Sequence, residues 1–191
     1  MWLDRVKQEY GDSLQINWRS FSLDEVHNQQ ESSVMLWDES NISESRSLLS
    51  LISGQVARLQ GIDLFEEYHM ALLRARHDGG MRIPLNKHEP LLKIARDVGL
   101  DVKRFQNDLY DPVSLCRVIQ DHTDAVETHG VFGTPTFLFE GGDSVYLKTF
   151  IPPINDSVEF FERFVELMSG RSYLGELKRP QPPWPKGAVR Q

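Results

Sequence analysis

The stretch of this sequence under the tightest chemical constraint is Gly130-Val-Phe-Gly-Thr-Pro-Thr-Phe137. A threonine that precedes a proline is driven toward extended backbone, and the proline itself has no amide to donate. Proline is disfavoured inside a buried strand, so Pro135 belongs among a strand's first residues or in a turn. Gly133 permits a close backbone approach or an unusual dihedral. Together these residues describe a rigid loop that presents the main chain of Thr134 at the head of a strand. The plainer reading is that Pro135 only shapes the turn into that strand.

Side-chain chemistry is sparse by comparison. The single cysteine, Cys116, excludes an intrachain disulfide and any cysteine-based zinc cluster. It sits beside Val113, Leu115, Ile119 and Val126 on a helical pattern, so it reads as a small core hydrophobe. The histidines are His27, His69, His77, His88, His122 and His129. Neither His69 and His77 nor His122 and His129 have the i, i+4 spacing of a helical zinc site, so all six read as surface or packing residues. Asp121, Asp124 and Glu127 read as the solvated face of the helix that precedes the loop. No Gly-x-Ser-x-Gly, P-loop or dinucleotide fingerprint occurs. The expectation is therefore no catalytic side chain and no metal site within this sequence.

The elements that must hold the loop follow from periodicity. Trp2, Leu3, Val6 and Tyr10 recur at helical spacing, with nothing before Trp2 to cap the helix, and Gly11-Asp12 ends it. Leu14, Ile16, Trp18 and Phe21 predict a strand through Leu14–Arg19. After a polar link from Asn28 to Ser33, a block of helices is expected. The first begins at Asn41 with Glu44 and runs through Leu59, and the second spans Leu64 to Leu73 and ends at Gly79-Gly80. The third is capped by Asn86 with Glu89, the fourth starts at Asp101, and the fifth runs from Pro112 to about Thr128. Two strands, Thr136–Phe139 and Val145–Phe150, then join through Gly141-Gly142-Asp143 as a hairpin. A final helix carries Val158 to Met168. The basic tail, with Arg171, Lys178, Arg179, Lys186 and Arg190, is Pro-rich and reads as solvated and extended.

Composition sets the wider bounds. The 191 residues suit one domain, or one domain with a large insertion, and are 40% hydrophobic and 26% charged, as in ordinary globular proteins. A net charge of -7 argues against nucleic acid, which needs clustered Lys and Arg. No apolar run approaches the roughly 20 residues that span a bilayer. The amphipathic opening, Met-Trp-Leu-Asp-Arg-Val-Lys, carries no visible signal peptide, and a reducing cytoplasm is the expected setting.

The 130–137 run resembles the cis-proline loop of the thioredoxin superfamily, in its DsbA-like branch. That branch includes the FrnE-type proteins and the 2-hydroxychromene-2-carboxylate isomerases, where a helix leads into Gly-Val-x-Gly-[Thr/Val]-Pro-[Thr/Ser]-Phe. The likeness extends over roughly Trp2 to Gly170, through Trp18-Arg-Ser-Phe21, the helical block, the hairpin and the closing helix. It implies an α/β fold, thioredoxin-like, with a large inserted all-helical subdomain. Residues 1–30 with 129–170 would form the thioredoxin-like part, 31–128 the insertion and 171–191 the Pro-rich tail.

The resemblance further implies a cis Thr134–Pro135 bond, with Phe132, Gly133, Thr134 and Pro135 as the substrate-side wall. There the residue before the proline offers its backbone to a bound peptide or thiol. Family members place a Cys-x-x-Cys at the start of the first long helix, where the helix terminus lowers the thiol's pKa. This sequence begins within that helix, so an N-terminally truncated reading of a longer gene is expected. The missing strand would leave a gap that three arrangements resolve: direct closure of its two neighbours, a strand from another chain, or an upstream start. The partners implied are a thiol- or disulfide-containing protein or a small thiol. Three activities stay open: thiol-disulfide exchange in the intact form, a glutathione-dependent isomerase-like reaction, and redox-inactive binding of a peptide or partner. No cofactor is expected for the first and third of these; glutathione is the one the second would use.

Overall fold

A computed structural model of the chain describes residues 2–38, 45–77 and 83–178. It divides into two compact units, one formed by Trp18–Thr128 and the other drawing together residues 1–17 and 129–191.

The Trp18–Thr128 unit is helical. Helix α2 spans Leu23–Glu31, α3 Leu48–Arg58, α4 Ile62–His77, α5 His88–Asp97, α6 Val102–Asp108 and α7 Pro112–Glu127, with α1 reserved for Trp2–Tyr10 of the other unit. Leu48, Ile52, Val56 and Ala57 make α3 the central helix, buried against Phe65, Tyr68 and Leu72 of α4, Leu91 and Ala95 of α5, Phe105 of α6 and Val118 of α7. The Tyr68 and Phe105 rings meet at 5.3 Å, both with no exposed surface. Helix starts are set by local chemistry. Ser22, Asp101 and Asp111 each accept an amide from the first turn of α2, α6 and α7, and Pro112 occupies the first turn of α7, where an amide is not needed.

Several local expectations are corrected here. The polar link expected from Asn28 lies partly within α2, because Ser22 caps a helix that the apolar pattern underweights. The residue before α5 is Lys87 and it makes no side-chain cap, so Asn86 is not the cap. The expected start at Asn41 with Glu44, and the stop at Gly79-Gly80, lie outside the described residues.

The Leu14–Arg19 strand is also absent as a laddered element. Leu14 is extended, at φ -108 and ψ 107, yet the sheet among the described residues contains only the two hairpin strands. Further along this segment, side chains replace the missing ladder. The Ser20 amide donates to Asp121 Oδ2 at 2.9 Å, and the Ser22 amide to His122 Nδ1 at 3.2 Å. Trp18 O accepts from Arg58 Nη2 at 2.6 Å. Residues 18, 20 and 22 share one edge of an extended chain, so α3 and α7 satisfy that edge as a neighbouring strand would.

The second unit contains α1, β1 (Thr136–Leu138), β2 (Ser144–Tyr146) and α8 (Ser157–Met168). The strands are antiparallel, with Thr136 opposite Tyr146 and Leu138 opposite Ser144. The hairpin is shorter than its sequence pattern suggests, and Gly142 turns it at φ +88, a conformation that favours glycine. The core of this unit is aromatic: Trp2 packs on Phe160 at 5.2 Å and Phe161 at 6.1 Å, and Phe137 packs on Phe164 at 4.9 Å. Arg5 tethers α1 by donating to Pro152 O and Ser157 Oγ, both at 3.3 Å. No helix among the described residues is long and apolar enough to cross a membrane.

Candidate functional site

The 130–137 loop is built from both ends. Gly130, at φ +63, redirects the chain after α7, and Val131 buries its side chain as an anchor. Ser144 Oγ donates to His129 O at 3.1 Å, fixing the loop's start to β2. At the other end Thr136 Oγ1 donates to Gly133 O at 2.7 Å, and the Leu147 amide donates to Pro135 O at 3.1 Å. The Thr134–Pro135 peptide bond is cis.

The four residues expected to line a substrate wall are brought together here. Gly133 is buried, while Phe132, Thr134 and Pro135 are exposed. Pro135 O points into the hairpin, and Thr134, just ahead of β1, is exposed. No hydrogen bond engages the Thr134 main chain among the described residues. Phe132 is two-thirds exposed and its ring meets Tyr146 at 5.0 Å, forming an aromatic shelf at the loop.

Tyr146 is a participant that the sequence did not single out. The only hint was its place in the alternating Val145-Tyr-Leu pattern. A Cβ added at Gly133 would stand 3.1 Å from Tyr146 Cε2, so a side chain there would make the Tyr146 ring give way by a few tenths of an ångström. Gly133→Ala is accordingly expected to push the Tyr146 ring away from Phe132 at a cost of about 1 kcal/mol, the low end for overpacking, because the ring is part-exposed and can yield. Loss of nuclear Overhauser contacts between the two rings, with a fall of a few degrees in the unfolding midpoint, is the measurement.

Trp2 opens α1, and its ring lies 6.4 Å from that of Phe137, two residues past Pro135. The first turn of α1 and the head of β1 are therefore neighbours within this unit.

Cys116 departs from expectation. It is exposed, not a core residue. Helix α7 buries Ser114, Val118, Asp121 and His122, and position 116 falls on the opposite side of that stripe. The same stripe corrects the reading of Asp121 as solvated: it is 8% exposed, accepts from Ser20 and Gln55, and pairs with Arg19 at 3.1 Å. His69 is held between the rings of Trp18 and Phe65, and burial pushes its pKa down to about 4. Among the described residues no group of three or more His, Cys, Asp or Glu could hold a metal ion.

No curated protein matches the chain. A family model does, that of the DSBA-like thioredoxin domain, over residues 1–166. That match covers the aromatic unit's opening helix, the whole helical unit, the Thr134–Pro135 loop and nearly all of α8, and on it the chain belongs to the DSBA-like thioredoxin-domain family.

Proposed function

We propose that this chain supplies the substrate-holding side of a thiol-disulfide exchange system, with Phe132, Gly133, Thr134 and Pro135 as the binding wall. The observation that carries this reading is the main chain of the exposed Thr134, which no hydrogen bond engages among the described residues. An extended peptide could add there by backbone hydrogen bonds, with a neighbouring side chain against the Phe132–Tyr146 shelf. In this reading the helical unit is an insertion into a thioredoxin-like scaffold, and the protein works in a reducing cytoplasm.

Membership of the family supports a thiol- or disulfide-bearing ligand. A peptide suits the wall better than glutathione. Glutathione carries two carboxylates, and residues 130–137 include no Lys or Arg to meet them. Dithiol exchange needs a thiolate and a second sulfur to resolve the mixed disulfide, and these 191 residues contain one cysteine. They are therefore expected to give no insulin reduction above the uncatalysed rate.

The test is titration of a cysteine-containing peptide into labelled protein. The Thr134 amide resonance is expected to shift, and Phe132→Ala to weaken binding about tenfold, as loss of one apolar anchor does. An unmoved Thr134 resonance at saturating peptide would overturn the proposal. Glutathione binding without peptide binding would transfer it to the isomerase-like reading.

A further inference from the structure

We propose that His122 and Glu25 form a proton-operated latch that holds residues 34–38 against the helical unit at neutral pH and frees them on acidification.

The geometry rests on two buried side chains, each with one unpartnered atom. His122 is 2% exposed and Glu25 not exposed at all. The Ser22 amide can only donate, so His122 Nδ1, 3.2 Å away, must accept. The ring is therefore neutral and carries its proton on Nε2, a buried atom without a hydrogen-bond partner. Glu25 Oε2 accepts from the Leu36 amide at 2.7 Å and from Asn28 Nδ2 at 3.3 Å, while its buried Oε1 has no partner. Asn28 Nδ2 also donates to Val34 O at 2.7 Å. Trp37 then stands edge-on to the His122 ring at 5.3 Å, and Phe21 packs on the same ring at 4.9 Å. Val34, Leu36 and Trp37 are thus fastened through Asn28, Glu25 and His122.

A second proton must go to Nδ1, where it would face the Ser22 N–H across 3.2 Å. Two donors cannot share that contact, so the ring has to turn and the packing surface of Trp37 is lost. The other charged groups on α2, α3 and α7 in this part of the unit are engaged elsewhere. Asp121 and Asp124 of α7 bond Arg19, Asp24 of α2 holds Ser45 and Ser47, and Arg58 of α3 donates to Trp18 O. Glu25 is the carboxylate that acts on the ring. Burial lowers the pKa of His122 and the Glu25 charge opposes that shift. The sign is fixed by the neutral ring: the latch is whole above the ordinary histidine value of about 6.5 and opens as pH falls below it, toward the lowered value in the fold.

The experiment is amide hydrogen exchange on the full chain at pH 7.5 and 5.0, with each rate divided by its intrinsic rate. Protection of the Leu36 amide is expected to fall at least tenfold more than that of Tyr68 in the α4 core, which controls for general acid weakening, including that from His69. His122→Asn keeps an acceptor near Nδ1 without a titrating ring, and should abolish the extra fall. Glu25→Gln removes the charge that favours the imidazolium, so release should move to lower pH. Equal falls at Leu36 and Tyr68, or an unchanged acid response in His122→Asn, would overturn the latch. If that variant does not fold, the nitrogen-15 shifts of His122 in the wild-type protein decide. A protonated Nδ1 at pH 7.5 refutes the latch; a bare Nδ1 that titrates together with Leu36 exchange supports it.

Discussion

Trp2→Ala is expected to remove about 3–5 kcal/mol from the unit that carries the Thr134–Pro135 loop, the range for truncating a buried aromatic. Trp2 is 8% exposed and its indole touches Phe160, Phe161 and Phe137, so it joins α1, α8 and β1 in one aromatic cluster. Alanine leaves a void that three rings line, and the main chain of a nine-residue helix cannot follow it inward without breaking the Arg5 bonds to Pro152 and Ser157. A domain holds only about 5–15 kcal/mol in reserve, so the loss is a large share. Hydrogen exchange at Phe164 should accelerate by two or more orders of magnitude, while amides of α3 and α4 keep their protection. Trp2→Phe, which retains much of the volume, should cost about 1.5 kcal/mol or less. Unchanged exchange in α8 would show that the cluster does not hold this unit.

Asp121→Ala is expected to cost about 2–4 kcal/mol, because it strands donors instead of merely deleting a contact. The Ser20 amide and Gln55 Nε2 both donate to Asp121 Oδ2 at 2.9 Å within the buried interior, and Arg19 loses its closer carboxylate partner. A buried donor without a partner costs about 1–3 kcal/mol, more than the bond itself contributes when made. Asp121→Asn should lose roughly half as much: its carbonyl oxygen can still accept from both Ser20 and Gln55, but its amide then confronts the Arg19 guanidinium where Oδ1 stood. Urea denaturation followed in the far ultraviolet is the measurement. A loss in Asp121→Ala no larger than that of an exposed carboxylate such as Glu127→Ala would refute this account.

The parts of the fold that were legible in the sequence are those set by local chemistry. Asp101 at the start of α6 and Pro112 in the first turn of α7 stand where the pattern places them, and the glycine-joined hairpin forms though with shorter strands, because each depends on residues a few positions apart. The Gly-Thr-Pro run was legible for the same reason: its constraints are covalent and steric, acting between neighbours. Failures arose where distant partners decide. Leu14–Arg19 alternates as a strand should, yet it joins no ladder among the described residues. Asp121 and His122 looked solvated or incidental because nothing in their neighbourhood announces that the amides of Ser20 and Ser22, a hundred residues earlier, will need acceptors. Cys116 was misplaced by counting apolar neighbours without asking which stripe of α7 they share. The Phe132–Tyr146 ring contact was not readable from the loop residues, since it forms only when the hairpin closes.

The aromatic unit is stitched from chain that lies on either side of the helical one, with roughly a hundred residues between its two parts. For a loose tether of that length, bringing the ends together carries an entropic cost that grows with the logarithm of the intervening chain. Within the helical unit the neighbours α3 and α4, α4 and α5, and α5 and α6 all pack together, and local contacts of that kind form fastest. Once it has condensed, the tether is replaced by a compact body and the two ends no longer search through a full coil's volume. Order of assembly is thereby expected to follow connectivity, with the helical unit maturing first and the 130–137 loop completed after it.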